Sequence, residues 1–165
     1  SGEIFGPHKY LKPARSDFQK EMRKISGLTT SGHTYNTKIP NHTDKVIKRM
    51  MAYQLGNTKQ SLIGTEIETK KLSQRVLKKN SFPSITVVSL PDDYIHYNRK
   101  MPRTLSVREC ARFQTFPDDF VFYGKRTTGG KRRKVDVPQY TQVGNAIPPR
   151  LANIIAKHIK ELITS

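Results

Sequence analysis

Apolar residues recur at helical spacing in several stretches of this chain. Phe18, Met22 and Ile25 form one stripe. Ser16 stands before it as an N-cap, with Gln19 three positions on to close a capping box. Asp17 favours the positive end of that helix, and Gly27 is the expected stop. Residues 1–15 read as an irregular leading segment, and 26–42 have the composition of a loop. A second stripe comprises Val46, Ile47, Met50, Met51 and Leu55, with Thr43 as its cap. Lys45, Lys48 and Arg49 fall on its other face, and Gly56-Asn57 supplies a C-terminal stop.

The pattern then weakens. Ile63, Ile67, Leu72, Val76 and Leu77 fit short strands or a helical turn equally well. Ile85, Val87 and Val88, between Pro83 and Pro91, predict a strand over 82–90. Residues 92–102 read as a loop in which Tyr94 to Tyr97 is extended. Ser106 and Glu109 form the best capping box in the chain, opening a short helix that Phe116-Pro117-Asp118 closes. Pro148-Pro149 opens a final helix with Leu151, Ile154, Ile155, His158, Ile159 and Leu162 on one face. His158 there reads as a packed core histidine.

Charge narrows the choice of partner. Thirty Lys and Arg against 13 Asp and Glu give a formal net charge of +17, which favours a polyanion. Nucleic acid comes first and an acidic membrane surface second. No apolar run nears the roughly 20 residues of a membrane span, and no signal peptide opens the chain. One cysteine, Cys110, excludes an internal disulfide and a cysteine-based metal cluster. An intracellular, cytoplasmic setting is the expectation. The five histidines have no metal-ligand spacing, so no metal site is expected. The carboxylate pairs Asp92-Asp93 and Asp118-Asp119 flank prolines, which favours turn and cap roles. The stretch 125–134 holds six positive charges and two glycines. It fits a loop that tracks phosphates or a solvated insertion.

Two blocks carry a resemblance. Arg103-Thr104-Leu105-Ser106-Val107-Arg108-Glu109-Cys110-Ala111-Arg112-Phe113-Gln114-Thr115-Phe116-Pro117-Asp118-Asp119-Phe120 is the first. Gln142-Val143-Gly144-Asn145-Ala146-Ile147-Pro148-Pro149 is the second. In this order they resemble the last two conserved blocks of DNA (cytosine-5) methyltransferases. Upstream, Ser16 to Arg23, Asn41-His42, Arg49, Arg75-Val76, Pro83 and Ile85-Thr86 are similar to segments before and at the family's target-recognition region. The family's Pro-Cys, Phe-x-Gly-x-Gly, Glu-Asn-Val and Gln-x-Arg-x-Arg blocks do not occur in these residues.

The resemblance implies methyl transfer from S-adenosylmethionine to carbon 5 of cytosine in duplex DNA. A thiolate adds to carbon 6 of a base taken out of the stack. Cys110 lacks the preceding proline and sits mid-helix, so it is expected to be a buried packing thiol, and no catalytic residue is assigned in this chain. The resemblance places Asn145, Ala146 and Ile147 at the cofactor pocket; spacing alone fits a helix-leading turn with Asn145 as cap. Arg75, Lys78, Lys79, Thr86 and Ser89 are the candidate DNA contacts, each equally readable as part of a solvated basic face. Arg103, Arg108 and Arg112 are expected to tie the last helices to the recognition lobe.

The expected fold is an α+β fragment. A small β- and loop-rich recognition lobe joins C-terminal helices that belong to a larger α/β, Rossmann-like methyltransferase domain. Residues 1–57 would precede the recognition region, 58–102 would form it, and 103–165 would belong to the catalytic domain. The expected partners are double-stranded DNA and an N-terminal catalytic part of the same enzyme, or a separate catalytic subunit. A non-catalytic DNA-binding module and an RNA-directed relative are the rival readings. The first reading requires the apolar face of the final helix to lie bare in this chain.

Overall fold

The computed structural model describes residues 4–24, 33–70, 74–79, 94–127 and 135–164. Its elements are α1 (Asp17–Met22), α2 (Asp44–Gln54), a 3-10 turn (Gln60–Leu62), β1 (Arg75–Val76), β2 (Tyr94–Ile95), α3 (Val107–Phe113), α4 (Gln139–Asn145) and α5 (Pro149–Thr164). This is a small α+β arrangement.

Ser16 caps α1 as predicted, its Oγ accepting the Gln19 N–H at 3.2 Å. Gln19 reaches one residue further back than a capping box requires, accepting from the Arg15 N–H at 2.7 Å. The helix is shorter than its apolar stripe. It ends at Met22, and Ile25 and Gly27 lie outside the described residues. Arg23 leaves the helix to donate to the Lys12 carbonyl at 2.8 Å and to lie 4.0 Å over the Tyr10 ring. The Met22 carbonyl accepts from the Asp118 N–H at 2.7 Å, tethering α1 to the C-terminal block.

Thr43 stands at the N-cap of α2 without a side-chain cap bond. At the other end Asn57 N–H bonds the Ala52 carbonyl and Gly56 N–H bonds that of Tyr53, both at 3.0 Å. This is a Schellman stop, and it needs Gly56 at φ +99°. Arg49 departs from its expected outer face. It is buried, and its Nε donates to the Ile67 carbonyl at 2.8 Å because the segment after the 3-10 turn folds over it.

The ambiguous stretch 58–80 contains both expected forms, a helical turn and a strand. Arg75 and Val76 pair in parallel with Tyr94 and Ile95, which confirms extended backbone at the latter pair. Ile95 also bridges Thr104 in antiparallel sense. The strand predicted over 82–90, Thr86, Ser89 and Asp92-Asp93 lie outside the described residues.

The Ser106–Glu109 capping box is present in full, with both reciprocal bonds formed. After α3, Thr115 adopts φ +62°, a costly conformation for a β-branched residue. It lets the Thr115 hydroxyl accept the Arg150 N–H at 3.1 Å. A donor in the first turn of α5 thus gains a partner 35 residues upstream. Helix α4 was not expected, and Gly144 and Asn145 form its last turn.

The core gathers Leu77, Tyr94, Leu105, Val107, Cys110, Phe116, Phe122, Tyr140 and Val143. Phe116, Phe120 and Phe122 form a triangle of rings with centroids 4.9–5.1 Å apart. Helix α5 stays outside this core. Leu151, Ile154, Ile155, Ile159 and Leu162 are 48–65% exposed, as the first reading required. His158 is exposed too, not packed, because no described residue covers that face of α5. No described helix is long and apolar enough to cross a membrane.

Candidate nucleic-acid interface

Three arginines of the first block are consumed by the scaffold. Arg103 grips Glu109 through two parallel bonds of 2.7 and 2.8 Å. Arg112 holds Asp118 in the same forked way, with both bonds 2.8 Å. Tyr10 adds a third contact, donating to Asp118 at 2.6 Å. Asp118 lies in a turn as its sequence suggests, closed by the Phe120 N–H on the Pro117 carbonyl at 3.1 Å, and is also a buried ion-pair anchor. Arg108 is fully buried and donates to the carbonyls of Tyr35, Pro117 and Phe120. The side-chain bonds of the three arginines join α3 to Tyr35 and to residues 104–120. Among the described residues none of them runs to 58–102, so the expected tie to the recognition lobe is not what they make.

Asn36 is the main structural residue that the sequence hid. It is buried at φ +59°, which Asn tolerates better than most residues. Its side chain accepts from the Phe122 N–H at 3.0 Å and donates to the Phe122 carbonyl at 2.9 Å. It also donates to Gln139 at 3.2 Å. A lone Asn in a loop-like stretch gives no signal of this role.

Glu109 feels burial, which raises its pKa. The hydrogen bonds from Arg103 and the Ser106 N–H outweigh that, and its carboxyl lies below its ordinary 4.5. The stability it adds is complete above 4.5 and is lost as pH falls through the depressed folded value. Glu109→Gln should cost about 2 kcal/mol at pH 7, since it leaves Arg103 buried without its counter-charge. Denaturant melts should show the gap between wild type and variant closing below pH 4.5. A gap that stays constant down to pH 3 would contradict this role.

Cys110 is 5% exposed inside the core. Burial, and then the Glu109 carboxylate, push its thiol far above the range where a thiolate forms at neutral pH. This agrees with a packing role.

Three of the expected DNA contacts, Arg75, Lys78 and Lys79, lie at or just after β1. Arg75 is half-buried in the strand with its guanidinium 5.7 Å from the Tyr94 ring centroid. Lys78 and Lys79 are exposed just beyond it and line an open groove of about 440 Å³. Thr86 and Ser89 cannot be placed among the described residues. At the α4–α5 junction, Asn145 and Ile147 are exposed and Ala146 is half-buried against the core. The Asn145 carboxamide makes no hydrogen bond among the described residues, so its donor and acceptor are free for a ligand. Asn145 ends a helix here and does not cap the next one.

The family described as C-5 cytosine-specific DNA methylase matches residues 7–161, and the chain belongs to it. Type II methyltransferase M.DdeI of Desulfomicrobium norvegicum is 33% identical over 96% of this chain and 39% of its own length. DNA (cytosine-5-)-methyltransferase M.ApeKI of Aeropyrum pernix is 32% identical over 78% of this chain and 28% of its own. Type II methyltransferase M.AquIB of Picosynechococcus is 37% identical over 76% of this chain, and there the match covers 91% of the relative. The chain thus spans well under half of most of the curated relatives it matches. No solved structure matches it.

Proposed function

We propose that this chain is the C-terminal part of a DNA (cytosine-5) methyltransferase. It grips duplex DNA, reads its sequence and completes one wall of an S-adenosylmethionine pocket. Its boundaries would be those expected above, with the recognition region at 58–102 and the end of a Rossmann-like catalytic domain at 103–165. The observation that carries this reading is a family member whose single thiol is buried and preceded by Glu109 rather than proline. The nucleophile must then come from another part, either in the same enzyme or in a separate subunit. The near-complete match to the short M.AquIB supports the idea that such a part can stand as its own chain.

S-adenosylmethionine is the methyl donor in this reading. The free Asn145 amide and the exposed Ile147 side chain fit one edge of such a molecule, the first by hydrogen bonding and the second by apolar contact. Ala146 sets their position by packing on the core. The other walls of the pocket would belong to the catalytic part, so cofactor binding by this chain alone should be negligible.

Arg75, Lys78, Lys79, Thr86 and Ser89 remain the proposed DNA contacts, with the lysines on phosphates. Duplex affinity should fall steeply with salt, by a slope of roughly 0.7–0.9 per phosphate contact. Replacing Lys78 and Lys79 together by Ala should lower that slope by about two and weaken binding to all sequences alike. Anisotropy titrations across a salt series read both quantities, with an RNA duplex as competitor. A flat salt dependence, or preference for the RNA, would overturn the reading.

A further inference from the structure

We propose that the groove between α1, the end of β1 and α3 holds one unstacked nucleotide of DNA, with its base on the rings of Phe18, Tyr97 and Phe113 and its phosphate at Lys78 and Lys79. The proposal rests on the DNA-binding reading above and adds a site to it. The groove encloses about 440 Å³, within the roughly 300–1,000 Å³ of small-ligand sites. Its three aromatic residues are 40–45% exposed. One exposed ring is ordinary on a protein surface, but three at one concavity, beside cations, form a binding surface.

The groove is held in shape from behind. Leu77 and Leu105 form its floor and belong to the core. The Tyr97 ring is backed by His96, stacked at 4.4 Å between centroids with 25° between planes. Arg112 is fixed at the wall by its two bonds to Asp118, which use Nε and Nη2; Nη1 makes no bond to a described residue. Among the described residues the one carboxylate at the wall, Glu109, is neutralised by Arg103. The net field in the groove is therefore positive, and it suits a phosphate.

Chemistry selects an unstacked nucleotide over a paired one. Within a duplex each base hides both π-faces against its neighbours and offers only its edges. An aromatic wall gains nothing from edges. It binds a base whose face is free, and it does so with little regard to sequence. DNA bound by an enzyme that extrudes a base contains such nucleotides for as long as the stack is open.

The test compares two single strands of equal length and charge on the full chain, by anisotropy: a short oligothymidylate and its abasic counterpart. The oligothymidylate should bind about tenfold tighter, as expected for base stacking on an aromatic ring. Phe113→Leu should remove that preference while leaving the affinity for the abasic strand unchanged. Phe18→Leu serves if the first variant melts early, and should reduce the preference in the same way. Equal affinity of wild type for the two strands would overturn the proposal, as would a preference that survives in a folded Phe113→Leu. Salt-dependent duplex binding that persists in that case separates failure of this site from failure of the DNA-binding reading.

Discussion

Arg108→Met is expected to cost about 3–5 kcal/mol, a large part of the roughly 5–15 kcal/mol that holds a domain together. Methionine fills much of the same space, but it leaves the carbonyls of Tyr35, Pro117 and Phe120 buried without their donors. Arg108→Lys should do little better, because one ammonium cannot reproduce a planar fork aimed at three carbonyls. Burial lowers the Arg108 pKa to about 10, so the group stays charged through neutral pH. Its folded value is below its unfolded 12.5, so stability linked to its titration would change only above pH 10. The loss caused by Arg108→Met should therefore be constant between pH 6 and 9. Urea melts followed by circular dichroism read it, and a loss under about 1 kcal/mol would show that the clasp is dispensable.

Ile155→Asp on α5 is expected to leave this chain's own melt unchanged and to weaken its association with the catalytic part by at least about 100-fold. The side chain is half-exposed here, so a charge at this position costs the isolated chain little. At a buried interface the same carboxylate would have to be desolvated without a partner. Lys157→Asp, on the side of the helix opposite the apolar stripe, should change association far less. Sedimentation of the two parts together reads the difference. Equal association by wild type and Ile155→Asp would mean that another surface makes the contact.

Local signals in the sequence were reliable where the physics is local. The capping box at Ser106 and Glu109, the Gly56-Asn57 stop and the proline start of α5 each depend on residues within one turn, and each is present. The same holds for the apolar face of α5, which periodicity alone reveals. What stayed hidden depends on distant partners. Arg49 looked like an outer-face cation because nothing nearby says that Ile67 returns over it. Asp118 showed its turn but not its anchoring role, because Tyr10 is 108 positions away. Helix α4 lacked a visible start, since Pro138 precedes it without a side-chain cap. The candidate site was legible in kind rather than in detail. The two blocks pointed to the family, and the exposed lysines beyond β1 were named, but the aromatic side of their groove comes from α1, α3 and the residues after β2. No linear spacing brings Phe18, Tyr97 and Phe113 together.

The central claim is that this chain completes a cytosine-5 methyltransferase without supplying its nucleophile. The direct measurement mixes the chain with a catalytic part that carries Pro-Cys and follows transfer of a labelled methyl group to carbon 5 of cytosine in duplex DNA. Neither part alone should transfer methyl groups, the mixture should, and the mixture should keep its activity when this chain carries Cys110→Ala. Methyl transfer by this chain alone, or loss of the mixture's activity with a folded Cys110→Ala, would contradict the account.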